Sequence, residues 1–302
     1  MGFTIDRNTI FGLAALFLWS ATVALARSIS EQIGPLAGGA FVYLTAGILL
    51  TCHFLLRERS IRKLGNFPPK YVFGCGALFL IYTAALFLAL GLAANRDQTI
   101  EVGLLNYLWP ALTILFSLFI LGKKARVALV PGTLLALVGI FLVLTQRTSI
   151  TWNSFLTNLS SNPNAYGLGI AAAISWALYS NLTRLWGESS ADGAVPLFIL
   201  ITGLVLFLFS LLHPEQGAWS VGVVAEIVFL AVATALAYVF WDIAMRKGDV
   251  ALVVSCSYLT PFLSTVVSCI YLGVLPGISL WVGCTLIISG SYVSWRSIVP
   301  EE

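Results

Sequence analysis

The stretch Asn106-Tyr107-Leu108-Trp109-Pro110 places an asparagine and a proline in the middle of an apolar segment that runs from about residue 99 to 121. Because proline has no N–H group, it cannot donate a hydrogen bond to the carbonyl group four residues earlier, and it bends the helix there. The same design returns in Ser257-Tyr258-Leu259-Thr260-Pro261, again within an apolar segment. The two stretches therefore predict two kinked helices, one in each half of the chain.

Composition places those helices in a membrane. Of the 302 residues, 59% are hydrophobic and only 10% are charged, and the mean hydropathy is +0.95. A soluble domain carries about 25% charged residues. Apolar runs of about 20 residues, the length that crosses a bilayer as a helix, recur along the whole sequence. Backbone groups in lipid must be hydrogen-bonded internally, so we expect an all-α integral membrane protein.

Breaks in the hydropathy pattern predict ten transmembrane helices. Their approximate bounds are 9–28, 36–56, 71–94, 99–121, 127–145, 165–186, 194–212, 222–246, 251–272 and 277–297. The termini and the loops after helices two, four, six and eight hold thirteen Lys and Arg residues, whereas the opposite loops hold three. Because positively charged loops stay in the cytoplasm, both termini are predicted to be cytoplasmic.

Residues of the first half recur in the second half at nearly constant offsets. The recurring pairs, between 157 and 151 positions apart, include Trp19/Trp176, Gly47/Gly203, Tyr82/Tyr238, Tyr107/Tyr258 and Pro110/Pro261. Since each half contains five spans, the second half enters the membrane from the other side, and the repeat is inverted, as in many secondary transporters. We predict a first five-helix repeat at 1–146, an external linker at 147–164 and a second, inverted repeat at 165–302.

The fourth and ninth predicted helices carry matching polar stripes. The stripe residues share one helix face and are Asn106, Pro110, Thr113 and Ser117 on one helix and Ser257, Pro261, Ser264 and Ser268 on the other. Small hydroxyl groups often only pack membrane helices together, and a kink can simply shape a bundle. In a binding role, the carbonyl groups freed by the prolines would take water, a hydroxyl group or a substrate ammonium group as partners. In either role the two helices should bend at the same depth.

Several aromatic residues lie too deep in the predicted spans for an interfacial belt. Trp19, Trp109 and Trp176 are about ten residues into their spans, or roughly 15 Å from the surface at a rise of about 1.5 Å per residue. The accompanying tyrosines are Tyr43, Tyr82, Tyr107, Tyr179, Tyr238 and Tyr258. We expect part of this set to be ordinary core and part to line a cavity. Such a lining suits a ligand with an aromatic or apolar body and a cationic amine.

Charged residues are scarce inside the predicted spans. Glu101 and Glu226 are predicted at the starts of helices four and eight, where the helix dipole favours an anion. Asp242 is spaced to pair with Arg246 one turn later. Each of these carboxylates is also a candidate for proton coupling. The sequence has no catalytic, metal-binding or phosphate-loop motif, so we expect no enzyme activity, no cofactor, no metal and no nucleic acid partner.

Ten helices in two inverted halves, with Tyr-Leu-x-Pro at 107–110 and 258–261, resemble the drug/metabolite transporter superfamily (EamA-type). Within it, the stretch 106–110 is similar to the helix-four signature of the aromatic amino acid exporter branch, the YddG-like proteins. The resemblance implies a bacterial inner-membrane exporter of aromatic and other neutral amino acids, with a cavity between the halves. Many members end helices four and nine with Leu-Gly-Glu, but here the third residues are Lys123 and Val274, so a role for that glutamate does not carry over.

The combined prediction is a secondary transporter that exports amino acids, aromatic or neutral, through a central cavity by alternating access. The expected conformational residues are Pro110 and Pro261, and the expected substrate-binding residues are Trp19, Tyr82, Asn106, Tyr107, Trp109, Trp176, Tyr179, Tyr238, Ser257 and Tyr258. The alternatives are an exporter of drugs or other small metabolites and a membrane scaffold or receptor that transports nothing. The expected partners are the amino acid substrate and the lipid bilayer, and the sequence leaves the oligomeric state open.

Overall fold

The computed structural model describes residues 6–58, 67–145, 148, 150–187, 193–215, 217–272 and 277–299. These residues form thirteen α-helices and no strand. The helices are α1 (Arg7–Ile33), α2 (Pro35–Glu58), α3 (Gly76–Leu92), α4 (Arg96–Asn106), α5 (Trp109–Ile120), α6 (Leu129–Leu144), α7 (Trp152–Ser161), α8 (Pro163–Gly187), α9 (Val195–Leu212), α10 (Val221–Lys247), α11 (Val250–Ser257), α12 (Thr260–Leu272) and α13 (Ile278–Ser297). A π-helical turn, Lys70–Cys75, leads directly into α3.

Short polar side chains fix several helix starts, because they accept hydrogen bonds from the first unpaired N–H groups of a helix. The carboxylate of Asp6 caps α1 by accepting from the backbone N–H groups of Asn8 and Thr9 at 2.8 and 3.1 Å. Ser220 and Asp249 cap α10 and α11 in the same way. Each of these helices therefore begins where the sequence supplies a capping side chain.

Six helical segments in the described part of the chain are long and apolar enough to cross a membrane. They are Pro35–Arg57, Lys70–Leu92, Arg96–Ile120, Val195–Leu212, Val221–Lys247 and Ile278–Ser297. The pair α11 and α12 makes a seventh if the two are one span bent by 45°. The helix α6 is apolar but shorter, at 16 residues. The protein is thus a helical membrane protein with several spans.

The two predicted interruptions are present at matching positions. The helix α4 ends at Asn106 and α5 begins at Trp109, while α11 ends at Ser257 and α12 begins at Thr260. Both breaks fall just before the proline, at positions 151 apart in the sequence. The predicted external linker also contains a helix of its own, α7, which begins with a capping box formed by Thr151 and Ser154.

The pair α2 and α9 crosses at two glycines that play reciprocal parts. A Cβ atom at Gly47 would lie 2.5 Å from the Cα atom of Leu200, and a Cβ atom at Gly203 would lie 2.5 Å from the backbone nitrogen of Leu44. Gly47 and Gly203 are 156 positions apart, as are Leu44 and Leu200. Gly47 meets Leu200, and its counterpart Gly203 meets Leu44, the counterpart of Leu200. The two contacts are therefore related as across a two-fold axis.

The pair α6 and α13 repeats this reciprocity. A Cβ atom at Gly139 would lie 2.6 Å from the carbonyl oxygen of Gly283, and a Cβ atom at Gly290 would lie 2.6 Å from that of Gly132. Gly139 and Gly290 are repeat counterparts 151 positions apart, and so are Gly132 and Gly283. Small residues let membrane helices approach closely, and in this pair they bring the two backbones into contact.

Candidate functional site

Aromatic side chains from five helices meet at the centre of the bundle. We call this group the aromatic cluster; it consists of Trp19 on α1, Phe79 and Tyr82 on α3, Trp109 on α5, Trp176 and Tyr179 on α8, and Tyr238 and Trp241 on α10. Trp176 is buried in its middle, with ring centroids at 4.6 Å to Tyr82, 5.0 Å to Tyr179 and 5.7 Å to Trp19. The cluster joins the two halves of the chain.

The rings of the aromatic cluster meet mostly edge to face. The planes of Trp109 and Trp241 are inclined by 85° at a centroid distance of 5.4 Å, and those of Trp19 and Trp176 by 75°. This arrangement points the positive edge of one ring at the negative face of the next and adds about 0.5–1.5 kcal/mol per pair beyond burial. Ring faces that border the neighbouring cavity can in turn accept a cation or a further aromatic ring.

A cavity of about 200 Å³ lies against the aromatic cluster, between α1, α2, α3 and α10. It extends from Trp19 and Tyr238 to Ser30 and Gly38, at the end of the bundle where α1 ends and α2 begins. The hydroxyl groups of Tyr43 and Tyr238 are hydrogen-bonded at 2.6 Å at the inner end of this cavity. The cavity thus has an aromatic floor that carries hydroxyl groups.

On the other side of the aromatic cluster the bundle is closed by a buried polar network. Asp242, the residue after Trp241, accepts hydrogen bonds from the hydroxyl group of Tyr71 at 2.7 Å and from Nε of Arg246 at 2.8 Å. The backbone N–H of Ala194 donates to the Tyr71 oxygen at 3.2 Å. The predicted ion pair between Asp242 and Arg246 is therefore confirmed, and it belongs to a network that ties α10 to the π-helical turn and to the start of α9.

A buried ion pair is stable only when further hydrogen bonds satisfy its charged groups. Both carboxylate oxygens of Asp242 are used, and Asp242 and Arg246 are each only 2% exposed. A guanidinium nitrogen of Arg184 donates to the Arg246 carbonyl oxygen at 2.7 Å and adds α8 to the network. Four elements of the bundle are thereby held together at this end.

Six of the ten predicted substrate-binding residues belong to the aromatic cluster, namely Trp19, Tyr82, Trp109, Trp176, Tyr179 and Tyr238. Tyr107 is half-buried and packs against the hydrophobic core that contains the cluster. Asn106 is also half-buried, and its Oδ1 atom is buried without a hydrogen-bond partner among the described residues. This free acceptor lies at the break between α4 and α5.

The matching residues of the second half face a different environment. The hydroxyl group of Ser257 donates to the carbonyl oxygen of Val254 at 2.5 Å, and the ring of Tyr258 is fully buried with its hydroxyl group beside Thr133 on α6. Thr113 and Ser117 likewise donate to backbone carbonyl groups of their own helix. The hydroxyl groups of Ser257, Thr113 and Ser117 are therefore satisfied locally, which favours the packing alternative for these three positions.

Two members of the aromatic cluster, Trp241 and Phe79, are absent from the predicted site. Trp241 is fully buried, and its indole N–H has no hydrogen-bond partner among the described residues. Trp241 follows the predicted residue Tyr238 by three positions, and Phe79 precedes the predicted residue Tyr82 by three positions. Residues three apart share a helix face, so that spacing was the signal that could have included them.

The predicted positions of Glu101 and Glu226 at helix starts were wrong. The helix α4 begins at Arg96 because Asn95 caps it, so Glu101 lies beyond the first turn, where it is fully buried. It accepts hydrogen bonds from the hydroxyl group of Tyr166 and, at 3.1 Å, from Nδ2 of Asn158 on α7.

Glu226 also lies beyond the first turn of its helix, since Ser220 caps α10. Its carboxylate accepts hydrogen bonds from the hydroxyl group of Ser28 at 3.0 Å and from Nε2 of Gln32 at 3.2 Å. Glu226 and Glu101 thus connect separate helices instead of stabilising helix ends.

A bundle of membrane-length helices around a central cavity that is closed on one side by a polar network is the architecture of a membrane transporter. The chain belongs to the EamA-like transporter family, whose model matches it in two segments, residues 8–145 and 164–296. The family match places the chain among transporters and not among enzymes.

Relatives of known name match over nearly the whole chain. The aromatic amino acid exporter YddG of Salmonella typhimurium and that of Escherichia coli are each 34% identical to it over 293 residues, which are 97% of this chain and 98% of theirs. The aromatic amino acid exporter YddG of Ancylobacter novellus is 33% identical and covers 95% of this chain and 96% of its own. A solved crystal structure aligns with a TM-score of 0.80 at 31% identity and covers 96% of this chain and 98% of that one.

Proposed function

We propose that this protein is a secondary transporter that exports amino acids, aromatic or neutral, across a bacterial inner membrane through its central cavity. The observation that carries the proposal is the cavity whose lining includes Trp19 and Tyr238, two members of the aromatic cluster. Its support is the full-length similarity to relatives that are named aromatic amino acid exporters.

The inferred architecture has ten spans in two inverted repeats, 1–146 and 165–302, with the linker 147–164 outside and both termini in the cytoplasm. Ten spans result when three pairs of segments each count as one span: the π-helical turn with α3, α4 with α5, and α11 with α12. The helix α7 then lies outside the membrane. Support comes from the reciprocal glycine contacts and from the two segments that the family model matches. The bias of Lys and Arg between the two sets of loops supports the orientation.

Substrate recognition combines three kinds of contact. The ring faces of Trp19 and Tyr238, which line the cavity, enclose an aromatic side chain and attract an ammonium group through cation–π interaction. The unpaired Oδ1 atom of Asn106 supplies a hydrogen-bond acceptor for that ammonium group. The hydroxyl groups of the Tyr43–Tyr238 pair can donate to a carboxylate. A zwitterion with an aromatic body fits this combination.

We infer alternating access because the cavity reaches one end of the bundle, whereas a buried polar network holds the other end together. In the inferred orientation the cavity extends towards the outside, and the network of Tyr71, Asp242 and Arg246 closes the cytoplasmic side. The breaks before Pro110 and Pro261 provide places where two helices, one in each half, can change their bend. Opening the cytoplasmic side requires the network to separate.

The test is a counterflow assay in liposomes that contain the purified protein and are loaded with unlabelled phenylalanine. Labelled phenylalanine should accumulate transiently inside these vesicles and not inside protein-free vesicles. Competition by a panel of amino acids and unrelated cationic drugs separates the amino acid exporter from a drug or metabolite exporter. Equal uptake by both kinds of vesicle for every compound would rule out transport and leave the scaffold or receptor.

A further inference from the structure

Another pocket lies at the end of the bundle opposite to the central cavity. It is a groove of about 440 Å³ between α1, α2, α9 and α10, at the end where α2 and α10 terminate. Its walls include Phe11 on α1, Phe54 on α2 and Leu236 on α10. None of the residues expected to bind the substrate lines it, so it is separate from the central cavity.

The charge of the groove is strongly positive. Its titratable lining residues are Arg7, His53, Arg57, Asp242, Arg246 and Lys247. Four of these are cations at neutral pH, and the one carboxylate, Asp242, already bonds to Arg246 and Tyr71. The neighbouring carboxylate of Asp6 caps α1. Among the described lining residues, cations therefore outnumber carboxylates by four to one.

Polarity changes along the axis of the groove. On α10, Leu236 lies eleven residues before Lys247, or about 16 Å deeper at a rise of about 1.5 Å per residue. On α2, Leu50 lies seven residues before Arg57, or about 10 Å deeper. Both helices run towards the same end, so cations border the mouth of the groove and apolar side chains line its deeper part.

We infer that this groove binds an anionic phospholipid, with the phosphate headgroup at Arg7 and Arg57 and an acyl chain along Phe54 and Leu236. Basic pockets between transmembrane helices commonly hold anionic headgroups. A soluble phosphate would use only the charged mouth and leave the apolar wall uncovered. A zwitterionic amino acid would place its own ammonium group among the cations. An anion that carries a hydrocarbon chain matches both parts of the groove.

Because Arg246 belongs both to the groove and to the buried network with Asp242, a phosphate bound there would lie next to the closed end of the bundle. The lipid would then stabilise the closed arrangement. This consequence does not depend on the identity of the transported substrate.

Native mass spectrometry of the purified protein tests the inference by titration with phosphatidylglycerol and phosphatidylcholine of identical chains. Phosphatidylglycerol should bind at least tenfold more tightly. The double variant R7A/R57A should weaken phosphatidylglycerol binding by about 25-fold, since each cation near a lipid phosphate contributes about fivefold. It should leave phosphatidylcholine binding nearly unchanged. K124A removes an exposed cation outside the groove and should change neither affinity by more than twofold.

A second variant, L236W, fills the apolar part of the groove at a residue that is 43% exposed and whose replacement the fold should tolerate. It should weaken binding of both lipids, and it decides the question if R7A/R57A does not fold. Equal affinity for the two lipids would overturn the inference. Unchanged phosphatidylglycerol binding in folded R7A/R57A or in L236W would also overturn it. The same holds if an equal concentration of soluble glycerol phosphate displaces the lipid.

Discussion

The hydroxyl oxygen atoms of Tyr43 and Tyr238 lie 2.6 Å apart and join α2 to α10 at the inner end of the central cavity. Each ring belongs to a different half of the chain, and each is less than 9% exposed. The hydrogen bond therefore joins the two halves of the chain at the inner end of the cavity in which we propose that the substrate binds. A ligand that binds both hydroxyl groups would replace this bond, which couples occupancy of the cavity to the contact between the halves.

Replacing either tyrosine of this pair with phenylalanine should destabilise the protein. Y43F leaves the hydroxyl group of Tyr238 buried without its partner, which costs about 1–3 kcal/mol. The double variant Y43F/Y238F removes both groups and should lose less than the sum of the two single variants. Thermal denaturation in detergent measures these losses, and Tyr292→Phe, at an exposed tyrosine, is the control. Strict additivity would show that the two hydroxyl groups do not interact.

Asn106 and Ser257 occupy matching positions but should differ in transport. N106A removes the unpaired acceptor beside the aromatic cluster and should raise KM for phenylalanine about tenfold, the effect of one lost hydrogen bond to a charged group. S257A removes a hydroxyl group that is already bonded to its own helix and should change KM less than twofold. Counterflow at several substrate concentrations measures both. A larger effect of S257A would move the recognition site to the second half.

Trp241 should be one of the main contributors to the stability of the bundle. W241A leaves a cavity among Trp19, Trp109 and Trp176, and such truncations cost about 3–5 kcal/mol. W241F keeps most of the ring contacts and should cost less than half as much, because the indole N–H that it removes is unpaired. Denaturation midpoints, compared with those of the exposed-residue variant Trp281→Ala, measure the difference. A small loss in W241A would mean that the cluster collapses around the gap.

Asp242→Asn should loosen the closed end of the bundle. The substitution removes the carboxylate that pairs with Nε of Arg246, and breaking a buried ion pair costs about 3–5 kcal/mol. Cys75 lies at the end of the π-helical turn that contains Tyr71, and it is fully buried. In a protein whose other cysteines are replaced by serine, a membrane-permeant maleimide should label Cys75 faster in D242N than in the parent.

The conservative change Asp242→Glu keeps the charge and serves as the control for this labelling experiment. It should slow maleimide labelling relative to D242N, because a carboxylate remains available to Arg246. Equal labelling of Cys75 in the parent, D242E and D242N would show that the network does not control access from this end.

Much of the fold could be predicted from local patterns. The length and hydropathy of the apolar runs identify membrane helices, because lipid leaves the backbone few alternatives to a helix. The prolines determine where two helices break, since a missing N–H acts within one turn of its own chain. The ion pair between Asp242 and Arg246 follows from a spacing of four residues. Each of these predictions depends on neighbours in sequence.

The composition of the candidate site depended instead on contacts between distant helices. Helical periodicity indicates which residues share a face, but it does not say which neighbour that face meets. For this reason Trp241 joins the aromatic cluster, whereas Tyr258, which matches Tyr107 in sequence, packs beside Thr133. The partners of Glu101 lie 57 and 65 positions away, so no local spacing could have indicated them.

The sequence by itself determined that the chain is a helical membrane protein with two broken helices at matching positions and an aromatic, nearly uncharged interior. Only the tertiary structure decided which aromatic rings form the cavity floor and that Tyr71 joins Asp242 and Arg246 to close the opposite end. The physical reason is that membrane insertion and helix breaks are governed by interactions within one segment. A cavity and its closure exist only where several segments pack against one another.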